Sequence, residues 1–192
     1  MQLILASASP RRRELLTQAG FTYRIHPAHI PEDPRPDEDP IAYVCRLARE
    51  KAEAVYGQLV AAEPGIVVLG ADTTVTVDGE ILGKPESAED AARMLRILSG
   101  RTHRVITGVS LVSSVRTETA AEVTAVQFLS LSDAEIQDYI ATGEPMDKAG
   151  AYAIQGYAAR WIPRIDGCYF NVVGLPISLV ATMLEASGLN LP

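Results

Sequence analysis

Apolar residues in this 192-residue chain fall into short runs and helical stripes, and the two alternate with Gly, Pro and Ser between them. Leu3-Ile4-Leu5-Ala6 reads as a buried strand. It runs through Ser7-Ala8-Ser9 into a segment where Leu15, Leu16 and Ala19 recur at helical spacing. Ser9 suits the N-cap of that helix, Pro10 its first position and Gly20 its C-terminal cap. A short strand is expected over residues 22–26, a Pro- and acid-rich loop over 27–40, and a helix over 41–62. The run at 66–69 is a buried-type strand entering Gly70-Ala71-Asp72-Thr73-Thr74. Val77-Asp78-Gly79-Glu80-Ile81 is a hairpin signal. Ser87, with Asp90 three residues on, opens a helix that ends at Ser99-Gly100. Residues 105–112 and 122–129 read as paired strands. Ser132 and Glu135 form a capping box for a helix reaching about residue 142, and a last amphipathic helix spans 175–186. This alternation predicts an α/β fold: one domain over residues 1–192, an elongated mixed sheet with flanking helices, and two lobes around a central cleft.

Hydrophobic residues make up 47% of the chain, ample for a core. The net charge is −7, which disfavours nucleic acid or an anionic membrane as a partner for the whole surface. Local basic clusters therefore stand out. No apolar stretch approaches a membrane span. The apolar start lacks a basic segment and meets Pro10 and three arginines too early for a secretory leader. Cys45 and Cys168 show no metal-ligand spacing and read as free thiols, so a cytoplasmic protein is expected.

The chemistry-bearing residues stand at the punctuation. Ser7, Ser9, Arg11, Arg12 and Arg13 gather hydroxyls and guanidinium groups where a helix dipole begins. That is either a site for a polyanion such as a triphosphate or a helix start with solvated arginines. Asp72 follows an apolar strand and a glycine. It can hold Mg²⁺, orient a water or accept its proton, or it closes the strand as an Asx turn. Lys51 falls on the core-facing stripe of its helix, three after Ala48 and four before Val55, so it either snorkels out or meets an anion. Gly83-Lys84-Pro85 holds a lysine in a stiff loop, for a ligand or for solvent. Gln155 stands between Ile154 and Gly156 in a polar, glycine-bracketed stretch, where its amide can read a base edge or hold a metal-bound water. Glu32 or Asp33, in the proline-rich loop, would complete a divalent-metal site if brought beside Asp72. His103, alone at a strand start, reads as structural.

Taken in order, Ser7-Ala8-Ser9-Pro10-Arg11-Arg12, Arg46-Leu47-Ala48-Arg49-Glu50-Lys51-Ala52, Gly70-Ala71-Asp72-Thr73, Gly83-Lys84-Pro85, Ser99-Gly100 with His103, and Thr107-Gly108-Val109 form a set. Gly143-Glu144-Pro145, Asp147-Lys148-Ala149-Gly150-Ala151-Tyr152, Ile154-Gln155-Gly156 and Asn171-Val172-Val173-Gly174-Leu175-Pro176 continue it. The set resembles the Maf family of nucleoside triphosphate pyrophosphatases nearly end to end. The resemblance implies a fold like that of inosine triphosphate pyrophosphatases and hydrolysis of a nucleoside triphosphate to monophosphate and pyrophosphate. It also implies Mg²⁺ or Mn²⁺ as cofactor and a homodimer. It places the proton acceptor on Asp72 and the specificity positions on Arg11, Thr73 and Gln155. Ala71-Asp72-Thr73 and Ile154-Gln155-Gly156 match the branch acting on dTTP and UTP rather than the one acting on N7-methyl-GTP. Arg13, an addition to the usual arginine pair, is expected on the outer face of its helix.

Residues and resemblance together assign phosphate binding to Ser7, Ser9, Arg11, Arg12, Lys51 and Lys84, and metal binding to Asp72 and Glu32. The alternatives are the N7-methyl-GTP activity and a nucleotide-binding regulator of septum formation.

Overall fold

The computed structural model describes residues 2–188. Seven strands form one mixed sheet: β1 (Gln2–Leu5), β2 (Tyr23–Ile25), β3 (Ile66–Val77), β4 (Glu80–Leu82), β5 (Thr102–Val112), β6 (Thr117–Gln127) and β7 (Arg164–Asp166). The order is β2-β1-β3-β5-β6-β7, with β4 on β3. The helices are α1 (Pro10–Gln18), α2 (Pro40–Leu59), α3 (Ala88–Leu98), α4 (Asp133–Ala141), α5 (Tyr169–Val173) and α6 (Ile177–Ala186). The expected α/β architecture with a mixed sheet and flanking helices is found. The chain divides into two compact units. Among the described residues, one holds 2–72, Thr107–Glu122 and 174–188; the other holds Thr73–Ile106 and Val123–Val173.

In the first unit β1 lies parallel to both β2 and β3. Helix α1 starts where expected: Pro10 is at its start and the Ser9 hydroxyl accepts from the Arg12 amide. Its end is a Schellman motif. Gly20 has φ +81°, its N–H donates to the Thr17 carbonyl, and the Phe21 N–H donates to the Leu16 carbonyl. Helix α2 is capped by Asp39, which accepts from the amides of Ile41 and Ala42. Its buried stripe comprises Tyr43, Val44, Leu47, Ala48, Lys51, Ala52 and Val55. Ala52 and Val55 pack on Ile4, Ile66 and Val68, and burying a side chain such as Val55 is worth about 1.5–3 kcal/mol.

Strand β3 corrects the reading of residues 66–74. It does not stop at Gly70 but runs twelve residues to Val77, so Asp72 lies inside the strand and no Asx turn closes there. Gly70 is a contact point rather than a break. A Cβ there would stand 2.1 Å from the Ala48 carbonyl oxygen, so only glycine lets α2 pack this closely.

In the second unit Asp78 and Gly79, at φ +52° and +84°, make the two-residue turn between β3 and β4. Helices α3 and α4 begin on Ser87 and Ser132, and the Ser132–Glu135 capping box is complete. Their core includes Val75, Leu82, Leu95, Phe128, Tyr139 and Trp161. His103 is buried in it, with Nε2 2.7 Å from the Tyr152 hydroxyl and its ring edge-to-face with Phe128 and Tyr152. That is the structural role expected of it. The strands at 105–112 and 122–129 are found shifted, as β5 and β6. β7, α5 and three 3-10 turns between Glu144 and Trp161 were not foreseen.

Candidate active site

Strand β3, helix α2 and the loop before α2 bring together three residues singled out above, Asp72, Lys51 and Glu32. Lys51 Nζ lies 2.7 Å from Asp72 Oδ1 and 2.7 Å from Glu32 Oε1. Helical periodicity put Lys51 on the buried face of α2, and there it meets anions rather than snorkelling. Glu32 comes from the loop before α2, whose Tyr43 hydroxyl donates to the Glu32 carbonyl at 2.8 Å. The neighbouring Asp33 is exposed, and it is its carbonyl, not its carboxylate, that α2 holds through Arg46.

Asp72 and Lys51 are both buried. Burial raises the Asp72 pKa above the ordinary carboxylate value, while the charges of Lys51 and Arg12 pull it back. Tyr43, pushed up to about 12 by burial and then by Asp72 and Glu32, senses the same carboxylates.

Arg12 is buried too, and it is a clamp. Its Nε donates to the Gly174 carbonyl at 2.8 Å; its Nη1 donates to the Ala71 carbonyl at 2.9 Å and to the Ser7 hydroxyl at 3.2 Å. Arg12 thus ties the turn after β1 to the residue preceding Asp72 and to the chain entering α6. Burial lowers its pKa, chiefly opposed by Asp72. Ser7 Oγ also accepts from the Ser9 amide at 3.2 Å, so both hydroxyls of the turn support its shape. Arg11 and Arg13 are half-buried, and the Arg13 carbonyl accepts from the Tyr23 hydroxyl at 2.7 Å.

Thr73, Lys84 and Gln155 belong to the second unit. Thr73 is half-buried on β3. Lys84 is exposed on a loop pinned by the Gly150 amide, which donates to the Gly83 carbonyl at 3.0 Å. Gln155 is exposed on a turn between Ile154, which is buried, and Gly156. That turn is braced by Glu144. Its carboxylate accepts from the Tyr139 hydroxyl at 2.8 Å and from the Tyr157 amide at 3.2 Å. A Cβ on Gly156 would stand 2.1 Å from that carboxylate.

The family model described as Maf-like protein matches residues 2–187. The chain belongs to the Maf family. A Koribacter versatilis relative named dTTP/UTP pyrophosphatase is 53% identical over 188 residues, 98% of this chain and 95% of its own. Relatives of the same name from Chromobacterium violaceum and Bacillus pumilus are 52% and 50% identical. They cover 100% and 98% of this chain, and 97% and 98% of their own. A solved Staphylococcus aureus chain described as the Ham1 protein aligns over 97% of this chain and 100% of its own, at 13% identity and TM-score 0.49.

The donors in this Maf chain suit a hard divalent cation that also uses substrate oxygens. Asp72 and Glu32 bring two carboxylates to one ammonium group, and among the described residues no cluster of three or more His, Cys, Asp or Glu could cage a metal. Mg²⁺ is commonly held by one or two carboxylates, with phosphate oxygens and water filling its shell. No helix among the described residues is long and apolar enough to cross a membrane. Cys45 and Cys168 are free thiols.

Proposed function

We propose that this chain hydrolyses nucleoside triphosphates, dTTP and UTP foremost, to the monophosphate and pyrophosphate. The observation that carries this reading is a buried carboxylate, Asp72, held by a buried lysine in a chain 50–53% identical to proteins named for that activity.

Asp72 is the proton acceptor. Burial raises its proton affinity above that of a free carboxylate, while Lys51 and Arg12 favour its ionised form. A general base of this kind is worth roughly 10²–10⁴ in rate. Lys51 has three N–H donors, of which Asp72 and Glu32 take two. The third serves a phosphate oxygen. Arg11, at the start of α1, and Lys84, on its pinned loop, neutralise the rest of the triphosphate. Arg12, expected from the sequence to bind phosphate with Ser7 and Ser9, is read as a positioning residue, because its Nε and Nη1 donate to Gly174, Ala71 and Ser7 and so hold the turn and Ala71 with Asp72 fixed behind them. Asp72 and Glu32 would hold Mg²⁺ or Mn²⁺, which would supply charge neutralisation on the phosphates and a more acidic water. Thr73 and Gln155 select the base, and the Gln155 amide both donates and accepts, as the edge of thymine or uracil requires. Free thiols at Cys45 and Cys168 support a cytoplasmic setting.

The deciding experiment is a nucleotide panel with pyrophosphate release as readout and Mg²⁺ or Mn²⁺ present. dTTP and UTP are expected to give the highest kcat/KM. A preference for N7-methyl-GTP overturns the choice of base. No turnover of any triphosphate with either metal leaves a nucleotide-binding regulator as the better reading.

A further inference from the structure

Glu32 reaches Lys51 from a stretch without regular structure between β2 and α2, and its side chain is 51% exposed. An exposed carboxylate on a loop without regular structure is positioned by what holds its backbone as well as by what pairs with its charge. What holds this loop is one face of α2. Tyr43, Arg46 and Glu50 stand at positions i, i+3 and i+7, and all three grip it. The Tyr43 hydroxyl takes the Glu32 carbonyl. Arg46 Nε and Nη2 donate to Glu38 Oε1 and Oε2 at 2.6 and 2.7 Å, a two-pronged bond. Arg46 Nη2 also reaches the Asp33 carbonyl at 3.2 Å, and its Nη1 reaches Glu50 at 3.2 Å. Glu38 Oε2 in turn accepts from the Arg35 amide at 3.0 Å, and Arg35 Nη2 meets Glu50 Oε1 at 3.5 Å. The Arg46 and Glu38 side chains are each only 10% exposed, so this pair is shielded from water as few surface pairs are. Arg46 accordingly holds the Glu38 carboxyl down to about 2.

We propose that Arg46 and Glu38 are positioning residues for the hydrolysis. Their ion pair keeps the 32–38 loop on α2, and thereby keeps the Glu32 carboxylate on Lys51 beside Asp72. The inference rests on the reading of Glu32 as a carboxylate that serves the reaction. Neither Arg46 nor Glu38 reaches the reacting atoms. They act by sparing Glu32 the ordering that each catalytic cycle would otherwise demand.

Two measurements test this. The first is amide hydrogen exchange of the chain without metal or nucleotide. Glu38→Gln keeps the shape of the side chain and removes its charge, and Arg46→Met removes the fork. The hydrogen-bonded amides of the loop are those of Arg35 and Glu38, which donate to Glu38 Oε2 and to the Arg35 carbonyl. Arg46→Met, which leaves both bonds available, is expected to speed exchange at both amides by about tenfold or more, and Glu38→Gln to do so at residue 38, while β1 and β3 keep wild-type protection. Unchanged exchange in the loop overturns the proposal, as does acceleration spread equally over β1 and β3. The second is a double-mutant cycle on kcat. Glu38→Gln is expected to lower kcat about tenfold in the wild-type background, and by less than about twofold when Glu32→Gln is already present. An equal factor in both backgrounds shows that Glu38 does not act through Glu32 and overturns the proposal. Should Glu32→Gln alone keep full activity, the role given to Glu32 in hydrolysis falls, and the exchange data alone then decide whether the pair holds the loop.

Discussion

Lys51 Nζ and Asp72 Oδ1, 2.7 Å apart and both buried, join the core-facing stripe of a helix to the middle of a strand. The pair sits close to where Gly70 lets Ala48 and Ala52 come against the sheet. Two charges in such a place depend on one another more than the fold depends on either. Removing Lys51 alone leaves Asp72 buried without its nearest cation.

Lys51→Met, which keeps the length of the side chain, is therefore expected to cost about 3–5 kcal/mol of stability. Adding Asp72→Asn should recover most of that loss, because the uncompensated charge goes with it. Urea unfolding of the three variants measures this. A double variant as unstable as Lys51→Met would show that lost packing, not stranded charge, causes the loss.

Asp72→Asn alone should cost less stability than Lys51→Met, since the amide oxygen still accepts from Lys51 and Glu32 still pairs with its charge. Its hydrolysis should fall by roughly 10²–10⁴, the loss of a general base. Residual kcat above about a tenth of wild type, with the melting temperature near normal, would remove Asp72 from the role of proton acceptor.

Arg11 and Arg12 are adjacent in sequence and opposite in expected behaviour. Arg12→Ala strands the Gly174 and Ala71 carbonyls that its guanidinium satisfies, each a charge-assisted bond worth about 1.5–3 kcal/mol. It should lower stability by several kcal/mol and lose activity with it. Arg11→Ala should lower the unfolding midpoint less than Arg12→Ala does and lower kcat/KM for the triphosphate. Equal stability losses in the two variants would show that Arg12 is no more of a clamp than its neighbour.

The helix starts and the hairpin were legible because their signals are local. Ser9, Ser87 and Ser132 cap the helices they precede, and Asp78-Gly79 turns the hairpin. Lys51 was legible as an anomaly, a charge on an apolar stripe, although periodicity left its partner open. Other features were set by contacts distant in sequence. Gly70 reads as a strand end until the backbone of α2 is seen against it. Arg12 looks like its exposed-reading neighbours, because nothing local says that the Gly174 carbonyl, 162 positions on, will take its Nε. The three-residue β7 and five-residue α5 are too short to carry a period of their own. α5 is held by Asn171, whose Nδ2 donates to the Val105 carbonyl and Thr124 Oγ1 at 3.0 and 2.9 Å.

Gly70→Ala tests the close approach directly. The added Cβ would stand 2.1 Å from the Ala48 carbonyl oxygen and 2.9 Å from the Ala52 nitrogen, and both are backbone atoms that cannot rotate aside. Helix and strand must move apart, at a cost of about 1–3 kcal/mol or more. Because Lys51 and Asp72 stand on the same helix and strand, activity should fall more than stability alone explains. A variant with wild-type stability and wild-type kcat would show that this contact is softer than its geometry.

The last prediction concerns acid. His103 is buried and its pKa is lowered from 6.5 to about 4 by burial, whereas His26 is half-buried and His29 is exposed. Its Nδ1 has no hydrogen-bond partner, so nothing around the ring compensates a second proton. Between pH 6.5 and about 4 the unfolded chain binds a proton at this residue and the folded chain does not. Stability that is present at neutral pH is therefore lost as pH falls through that window. The full shift corresponds to about 3 kcal/mol, and about 2 kcal/mol of it should already be gone at pH 5, before most carboxylates protonate. His103→Phe keeps an aromatic ring against Phe128 and Tyr152 and removes the titration. The variant should start less stable at pH 7, having lost the bond to the Tyr152 hydroxyl, yet lose about 2 kcal/mol less than wild type between pH 7 and pH 5. Urea unfolding at the two pH values gives both numbers. Equal losses in wild type and variant would mean that another group carries the acid sensitivity in this range, and that the buried ring of His103 takes up its proton without cost.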